Sequence, residues 1–111
     1  MGTPVVWTIS LLSPAVEALS KIKDRRIQSQ IQNAFQRLQQ NPEQVGKPLA
    51  GELAGYRSLR AVNQEFRIIY RVNREQIEVL IVAIGRPKQG DRDDIYNLAK
   101  RWLQQGLLEG I

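Results

Sequence analysis

Residues 55–85 read GYRSLRAVNQEFRIIYRVNREQIEVLIVAIG. Three runs rich in β-branched and aromatic residues, Tyr56 to Val62, Phe66 to Val72 and Ile77 to Ile84, are separated by the polar stretches Asn63-Gln64-Glu65 and Asn73-Arg74-Glu75. This punctuation predicts three strands joined by two tight turns. The last run is apolar on both faces apart from Glu78, so it predicts a strand in the middle of a sheet with both faces covered.

Working toward the N-terminus, residues 41–55 hold two prolines and three glycines and read as a connecting loop. Before it, Ile27, Ile31, Ala34, Phe35 and Leu38 recur at helical spacing, a clean amphipathic stripe with a Gln-rich, basic opposite face. Asn41-Pro42 stops that helix. An earlier helix carries Val16, Leu19 and Ile22, with Ser13 as N-cap and Pro14 at its first position, and Asp24 to Arg26 breaks it from the second. Val5 to Ile9 reads as a short strand. Toward the C-terminus, Gly85 ends the third run, residues 86–92 (RPKQGDR) form a basic loop, and Asp91 or Asp93 caps a last helix with the stripe Ile95, Leu98, Ala99, Trp102 and Leu103. Gly106 is its C-cap, and the tail LLEGI frays or docks on a partner.

The order β-α-α-β-β-β-α predicts a single α+β domain over residues 1–111. An N-terminal strand and a helical hairpin pack on a largely antiparallel sheet of about four strands, with a C-terminal helix. A chain of 111 residues is long enough to bury such a core without staples. No apolar run is long enough for a membrane span, and MGTPVVWTIS has no charged region ahead of an apolar stretch, so the expected location is the cytoplasm.

Cysteine and histidine are both absent. Disulfides, thiolate or imidazole metal sites, Ser-His-Asp triads and Cys-His pairs are thereby excluded. Proton transfer is left to Lys, Arg, Tyr, Asp, Glu, water or the substrate. The formal net charge is +5, which suits a polyanionic partner, although a solubility charge of this size is common on small domains.

The cations are unevenly placed. Arg57, Arg60, Arg67, Arg71 and Arg74 lie on the first two sheet strands or their turn, Arg86, Lys88 and Arg92 follow the third strand, and Tyr96 starts the last helix. Guanidinium groups match phosphate geometry. RNA is cut without a metal when its 2′-hydroxyl attacks the adjacent phosphorus, which calls for preorganised positive charge and a proton donor or acceptor near the leaving oxygen. Taken singly, Arg57, Arg60 and Arg71 read equally well as solvated side chains on an open sheet face, and Arg67 as a partner of Glu65 or Glu78. Tyr96 reads as a half-buried helix residue, Tyr56 and Tyr70 as core packing, and Trp7 and Trp102 as core rather than base-stacking platforms. Asp91, Asp93 and Asp94 have the look of a magnesium cluster, but acids at a helix start favour capping and the helix dipole.

The stretch from Gly46 to Arg101 resembles the C-terminal half of RelE/ParE toxins. The resemblance rests on Leu49-Ala50-Gly51, Gly55-Tyr56-Arg57, the strand Phe66-Arg67-Ile68-Ile69-Tyr70, the apolar strand Val79 to Gly85 and the closing Asp94-Ile95-Tyr96, in that order. It implies the toxin of a type II toxin–antitoxin pair, a ribosome-dependent mRNA endoribonuclease with no cofactor and no metal, held in a hetero-oligomer with a cognate antitoxin. By position it implies a catalytic set of Arg67, Tyr96, Arg60, Arg86 and Lys88, with Arg57, Arg71 and Arg92 as RNA-binding residues. In relatives the loop after the glycine supplies an arginine or lysine; here Pro87 stands at the expected arginine, so the role falls to Arg86 or Lys88 or activity is weakened. The alternatives are a ParE-like, non-enzymatic inhibitor of DNA gyrase and a degenerate toxin.

Overall fold

The computed structural model describes residues 5–108. Residues 1–4 and 109–111, which include the start of MGTPVVWTIS and the end of the tail LLEGI, lie outside the described residues. The elements are β1 (Thr8–Leu11), α1 (Ser13–Lys21), α2 (Arg25–Gln40), β2 (Lys47–Pro48), a short 3-10 turn (Gly51–Leu53), β3 (Arg57–Ala61), β4 (Phe66–Asn73), β5 (Glu78–Gly85) and α3 (Ile95–Gln104). One sheet runs in the order β1-β5-β4-β3-β2. β1 is parallel to β5, and the remaining neighbours are antiparallel.

β5 is interior, as its composition predicts, and its residues from Val79 to Ile84 are all buried. Its two faces serve two cores. Val79, Ile81 and Ile84 join Ala15, Ile31, Ala34 and Leu38 of the helical hairpin, while Val82 and Ala83 join Ile95 and Ala99 of α3. The pairing with β4 skips Val82, since Ile69 faces Ala83 and Tyr70 faces Ile81. This bulge lets two consecutive β5 residues look toward α3, a re-aiming that a strict period of two does not allow.

Several boundaries differ from the sequence expectation. β1 begins at Thr8 rather than Val5, because its pairing with β5 begins at Glu78. Ile77 is not in the strand. It lies in the β4–β5 turn at φ 51° and is exposed; its N–H donates to the Arg74 carbonyl within the turn at 3.4 Å, and its carbonyl accepts from Thr8 N–H at 3.0 Å. α1 is capped by Leu12, not Ser13, because Leu12 N–H is still bonded to the Ile81 carbonyl when the chain turns into the helix. The α3 cap is Asp94, not Asp91 or Asp93, and its carboxylate accepts from Tyr96 N–H (3.0 Å), Asn97 N–H (3.2 Å) and the Lys88 N–H. Gly106 ends α3 at φ 77°, and Leu108 is fully buried in the α3-side core, so this part of the tail docks on its own domain.

The expected loop 41–55 contains the fifth strand. β2 is held by Tyr70, whose hydroxyl shares its proton between the carbonyls of Pro42 (2.7 Å) and Val45 (2.8 Å) and accepts from Arg57 Nε (3.3 Å). Arg57 Nη2 also donates to the Gly46 carbonyl at 3.1 Å. Gly46 sits at φ 73°, and a Cβ there would come within 2.8 Å of the Ser58 carbonyl and 2.7 Å of the Tyr70 hydroxyl. Only glycine lets the loop close this tightly.

Burial raises the Tyr70 phenol above its ordinary pKa, with Arg57 beside it pulling the other way. The unfolded chain therefore ionises first as pH rises. The Tyr70 contribution is fully present below the ordinary tyrosine pKa of about 10 and is lost above it, as pH climbs toward the folded value. Tyr70→Phe leaves two loop carbonyls without their donor and should destabilise by about 1–3 kcal/mol at neutral pH. Denaturant unfolding should show this gap shrinking above a pH of about 10; a gap independent of pH would contradict the account.

Candidate functional site

Where β2 ends, the outer edge of β3 is uncovered. There the sheet, the β3–β4 turn, the end of α2 and the start of α3 enclose a groove of about 630 Å³. Its polar lining comprises Arg37, Lys47, Ser58, Arg60, Gln64, Arg67 and Tyr96, with no acidic side chain among the described residues.

Sheet register explains the grouping. Arg60 and Arg67 are directly opposite one another on β3 and β4. Like charges in that relation repel. Gln64 ties both: its side-chain oxygen accepts from Arg60 Nη1 at 3.3 Å, and its carbonyl accepts from Arg67 Nη1 at 2.6 Å. The Phe66 carbonyl also accepts from Arg67 Nη1 at 3.1 Å. Gln64 reaches this position because Val62, Asn63 and Gln64 all take positive φ, at 54°, 53° and 69°. Positive φ is uncommon outside glycine and strained for a β-branched residue such as Val62.

Tyr96 enters from the other layer. At Gly85 a Cβ would come within 2.7 Å of Ile95 Cδ1, so the bare glycine lets Ile95 seat the first turn of α3 on the sheet. The Ile95 N–H donates to the Arg86 carbonyl at 3.1 Å, and Asp94, only 7% exposed, caps the same turn. The Tyr96 hydroxyl then lies 2.9 Å from Ser58 Oγ, a hydrogen bond in which either oxygen can donate. Ser58 is itself 8% exposed and pairs with Lys47 of β2.

Of the residues singled out in the sequence, Arg60, Arg67 and Tyr96 meet in this groove. Arg57 does not: it is opposite Tyr70, on the helical-hairpin face, and is engaged there. Arg86 stacks over the Phe66 ring at 4.9 Å and pairs with Glu65 at 3.9 Å, also toward the hairpin side. Neither Glu65 nor Glu78 pairs with Arg67; Glu78 accepts from the Ser10 hydroxyl. Lys88 is exposed in the loop and does not line the groove. Arg71 shares the face of Arg67 but is four residues along β4, about 13 Å away, over the Tyr56 ring at 6.0 Å. Arg92 lies near Arg101, whose Nη2 donates to its carbonyl at 3.0 Å. Asp91 accepts from the Asp93 N–H, and Asp93 pairs with Arg101 at 4.0 Å, so these acids serve the loop and helix start.

The groove residues that the sequence reading missed are Arg37, Lys47, Ser58 and Gln64. Arg37 was visible only as part of a basic helix face, and Lys47 only as a loop residue. Their convergence depends on how α2 and β2 meet the open β3 edge.

The family described as "ParE toxin of type II toxin-antitoxin system, parDE" matches residues 9–90. Toxin RelG of Mycobacterium tuberculosis is 33% identical over 90 residues, covering 81% of this chain and 95% of RelG. The solved toxin–antitoxin complex RelBE2 of Mycobacterium tuberculosis contains a chain with TM-score 0.65 at 33% identity, covering 74% of this chain and 99% of that one. The isolated Escherichia coli RelE toxin, at 13% identity, has the same fold with TM-score 0.63, covering 87% of this chain and 98% of that one. The α+β fold is thus that of a known group, and the chain belongs to the RelE/ParE family, as a toxin of a type II toxin–antitoxin system.

Proposed function

We propose that this toxin is a ribosome-dependent endoribonuclease that cuts mRNA by metal-independent chemistry in the groove between β3, β4, α2 and α3. The observation that carries the reading is the convergence of four cations and the Tyr96 hydroxyl around one open groove, with no acidic lining residue among the described residues. Such a lining matches the phosphate of a nucleic acid and the charge that builds on it during transfer.

In the proposed reaction the substrate's 2′-hydroxyl attacks the neighbouring phosphorus, the bond to the 5′-oxygen breaks, and a cyclic phosphate and a 5′-hydroxyl result. Arg60 and Arg67 are already set side by side, so they stabilise the pentacoordinate phosphate without reorganising at the moment of reaction. Arg67 spends Nη1 on two carbonyls, which fixes its orientation. The Tyr96 hydroxyl, held by Ser58, exchanges the proton at the departing or attacking oxygen. Arg37 and Lys47 hold flanking phosphates, taking the place that the sequence resemblance gave to Arg86 or Lys88. The groove provides charge and one phenol but no strong base, so alignment of the 2′-hydroxyl falls to the ribosome that holds the message.

A second reading has a specific observation in its favour: the matching family is described as ParE. A toxin of that kind that inhibits DNA gyrase by binding would not depend on the Tyr96 hydroxyl.

The RelBE2 relative was solved as a complex with its antitoxin, and this chain, at net charge +5, is proposed to be held by an acidic antitoxin of its own.

Primer extension on mRNA bound to programmed ribosomes should reveal cut transcripts with the wild-type protein. Arg67→Ala should lower the cleavage rate roughly 10²–10³-fold, the usual loss for one preorganised charge contact. Tyr96→Phe should also slow cleavage while preserving packing. Both variants should unfold near the wild-type temperature and still bind the antitoxin. Wild-type cleavage rates in both would remove the site assignment, and intact mRNA with inhibited gyrase would favour the second reading.

Co-expression with the neighbouring open reading frame should yield a stable complex with a small acidic protein. Absence of any such chain in the purified material would contradict the proposed partnership.

A further inference from the structure

α2 is sixteen residues long and contains no acidic residue, in a chain with eleven Asp and Glu. Apart from Ser29, its exposed side chains are guanidinium and amide groups. Solvated helix faces ordinarily interleave Glu with Lys or Arg at a spacing of four, because such pairs stabilise the helix. Here that device is missing from Arg25 to Gln40, and the one carboxylate at the helix is that of its N-cap Asp24, which accepts from the Arg26 and Ile27 N–H groups.

The cations are not symmetrically disposed. Arg26, Gln30, Asn33 and Arg37 recur at spacings of four, three and four, so at about 100° per residue they fall on one narrow stripe. The buried residues Ile31, Ala34 and Leu38 lie about a quarter-turn round from it. The stripe therefore runs along the flank of the helix rather than its outermost ridge. Arg37, at one end, lines the groove. Arg26, at the other end, is exposed about 16 Å away along the helix axis, and Lys23 lies just beyond it. Arg25 is turned roughly 100° from Arg26 and off the stripe.

We propose that the Arg26–Gln30–Asn33–Arg37 flank of α2 is a track for the RNA strand leaving the groove, so that the toxin grips several nucleotides on one side of the scissile phosphate. This inference rests on the RNA-cleavage reading of the groove. Continuity with that groove supplies the first argument and charge the second. The arginines at the two ends meet phosphates. Half-buried Gln30 and exposed Asn33 lie between them, and their amides both donate and accept, and so suit the 2′-hydroxyls and base edges of a single strand. An acidic protein segment would find the same two arginines, but the middle of the stripe offers it no further cation.

The test uses 2′-O-methyl RNA, which cannot be cleaved by 2′-hydroxyl attack, as a trinucleotide and as a nonanucleotide. Binding is measured at several salt concentrations for the wild type, Arg26→Gln, Arg25→Gln and Arg67→Ala. Glutamine keeps helix propensity close to that of arginine, and thermal unfolding checks that the variants stay folded. Arg26→Gln should weaken the nonanucleotide but not the trinucleotide, and should reduce the salt slope for the longer strand by about 0.7, the value for one lost phosphate contact. Arg25→Gln, which removes the same charge off the stripe, should have a clearly smaller effect, and Arg67→Ala should weaken both oligonucleotides. Equal losses from Arg25→Gln and Arg26→Gln would reduce the effect to net charge and overturn the track. An unchanged Arg26→Gln alongside a weakened Arg67→Ala would overturn the track while leaving the groove reading intact. If Arg67→Ala binds both strands like the wild type, the groove reading fails and takes the track with it. If Arg26→Gln affects only affinity for the antitoxin, the flank belongs to a protein partner instead.

Discussion

The strand from Glu78 to Gly85 has almost nothing polar to turn toward water. Six consecutive residues, from Val79 to Ile84, are buried, so each face needs its own apolar layer. The helical hairpin covers one side and α3 covers the other, and neither could serve both. The neighbouring strands fall into place around this requirement, with β4 running back alongside it and β1 paired parallel on its free edge. The bulge at Val82 divides the strand between the two layers, and Gly85 at its end gives Ile95 the room to start the second one. The position of Tyr96 is thus a consequence of how the core is closed.

The groove is built partly against stability. Arg60 and Arg67 occupy opposed positions where like charges repel. Three successive residues of the connecting turn hold positive φ, one of them the β-branched Val62. The turn conformation places Gln64 between the two guanidinium groups and satisfies a donor on each. Strain of this sort persists where the surroundings over-determine it. Here the fixing agents are the β3–β4 ladder on one side and the buried Val62 and Phe66 on the other. A pair of mutually repelling arginines costs stability, and a phosphate held between them, as in the proposed reaction, would relieve it.

Strand and helix identities were readable because they depend on short-range periodicity. The amphipathic stripe of α2, the two turns and the doubly apolar strand all follow from spacings within one element. Boundaries were less legible where a partner element decides them. Val5 and Val6 have strand-like side chains, but the structure begins β1 only where β5 offers a partner. Ser13 is a good capping residue, yet a strand hydrogen bond to Leu12 set the helix start one residue earlier. The two-residue β2 had no pattern of its own to read, since it exists because Tyr70, Arg57 and Gly46 close the loop onto Ser58.

For the site, residue types were readable from the chain and the resemblance put Arg60, Arg67 and Tyr96 in one set, but composition and period did not show which of the other cations join them. The absence of histidine and cysteine, the excess of arginine on the sheet strands and the tyrosine at the head of the last helix are properties of the chain, and they narrow the chemistry before any fold is known. They do not say which arginines share a face. Strand alternation turns Arg57 toward the hairpin and Arg60 toward the groove, and the turn length fixes Arg67 opposite Arg60. Arg86, one residue past the strand, is drawn away by the Phe66 ring and Glu65. Arg37 and Lys47, distant in sequence and unremarkable in pattern, arrive because two different elements end beside the same uncovered strand edge. The sequence by itself determined the elements and the available chemistry, since both depend on local composition and period. The tertiary structure alone decided which charges meet, because that depends on register, bulge and packing between residues far apart in the chain.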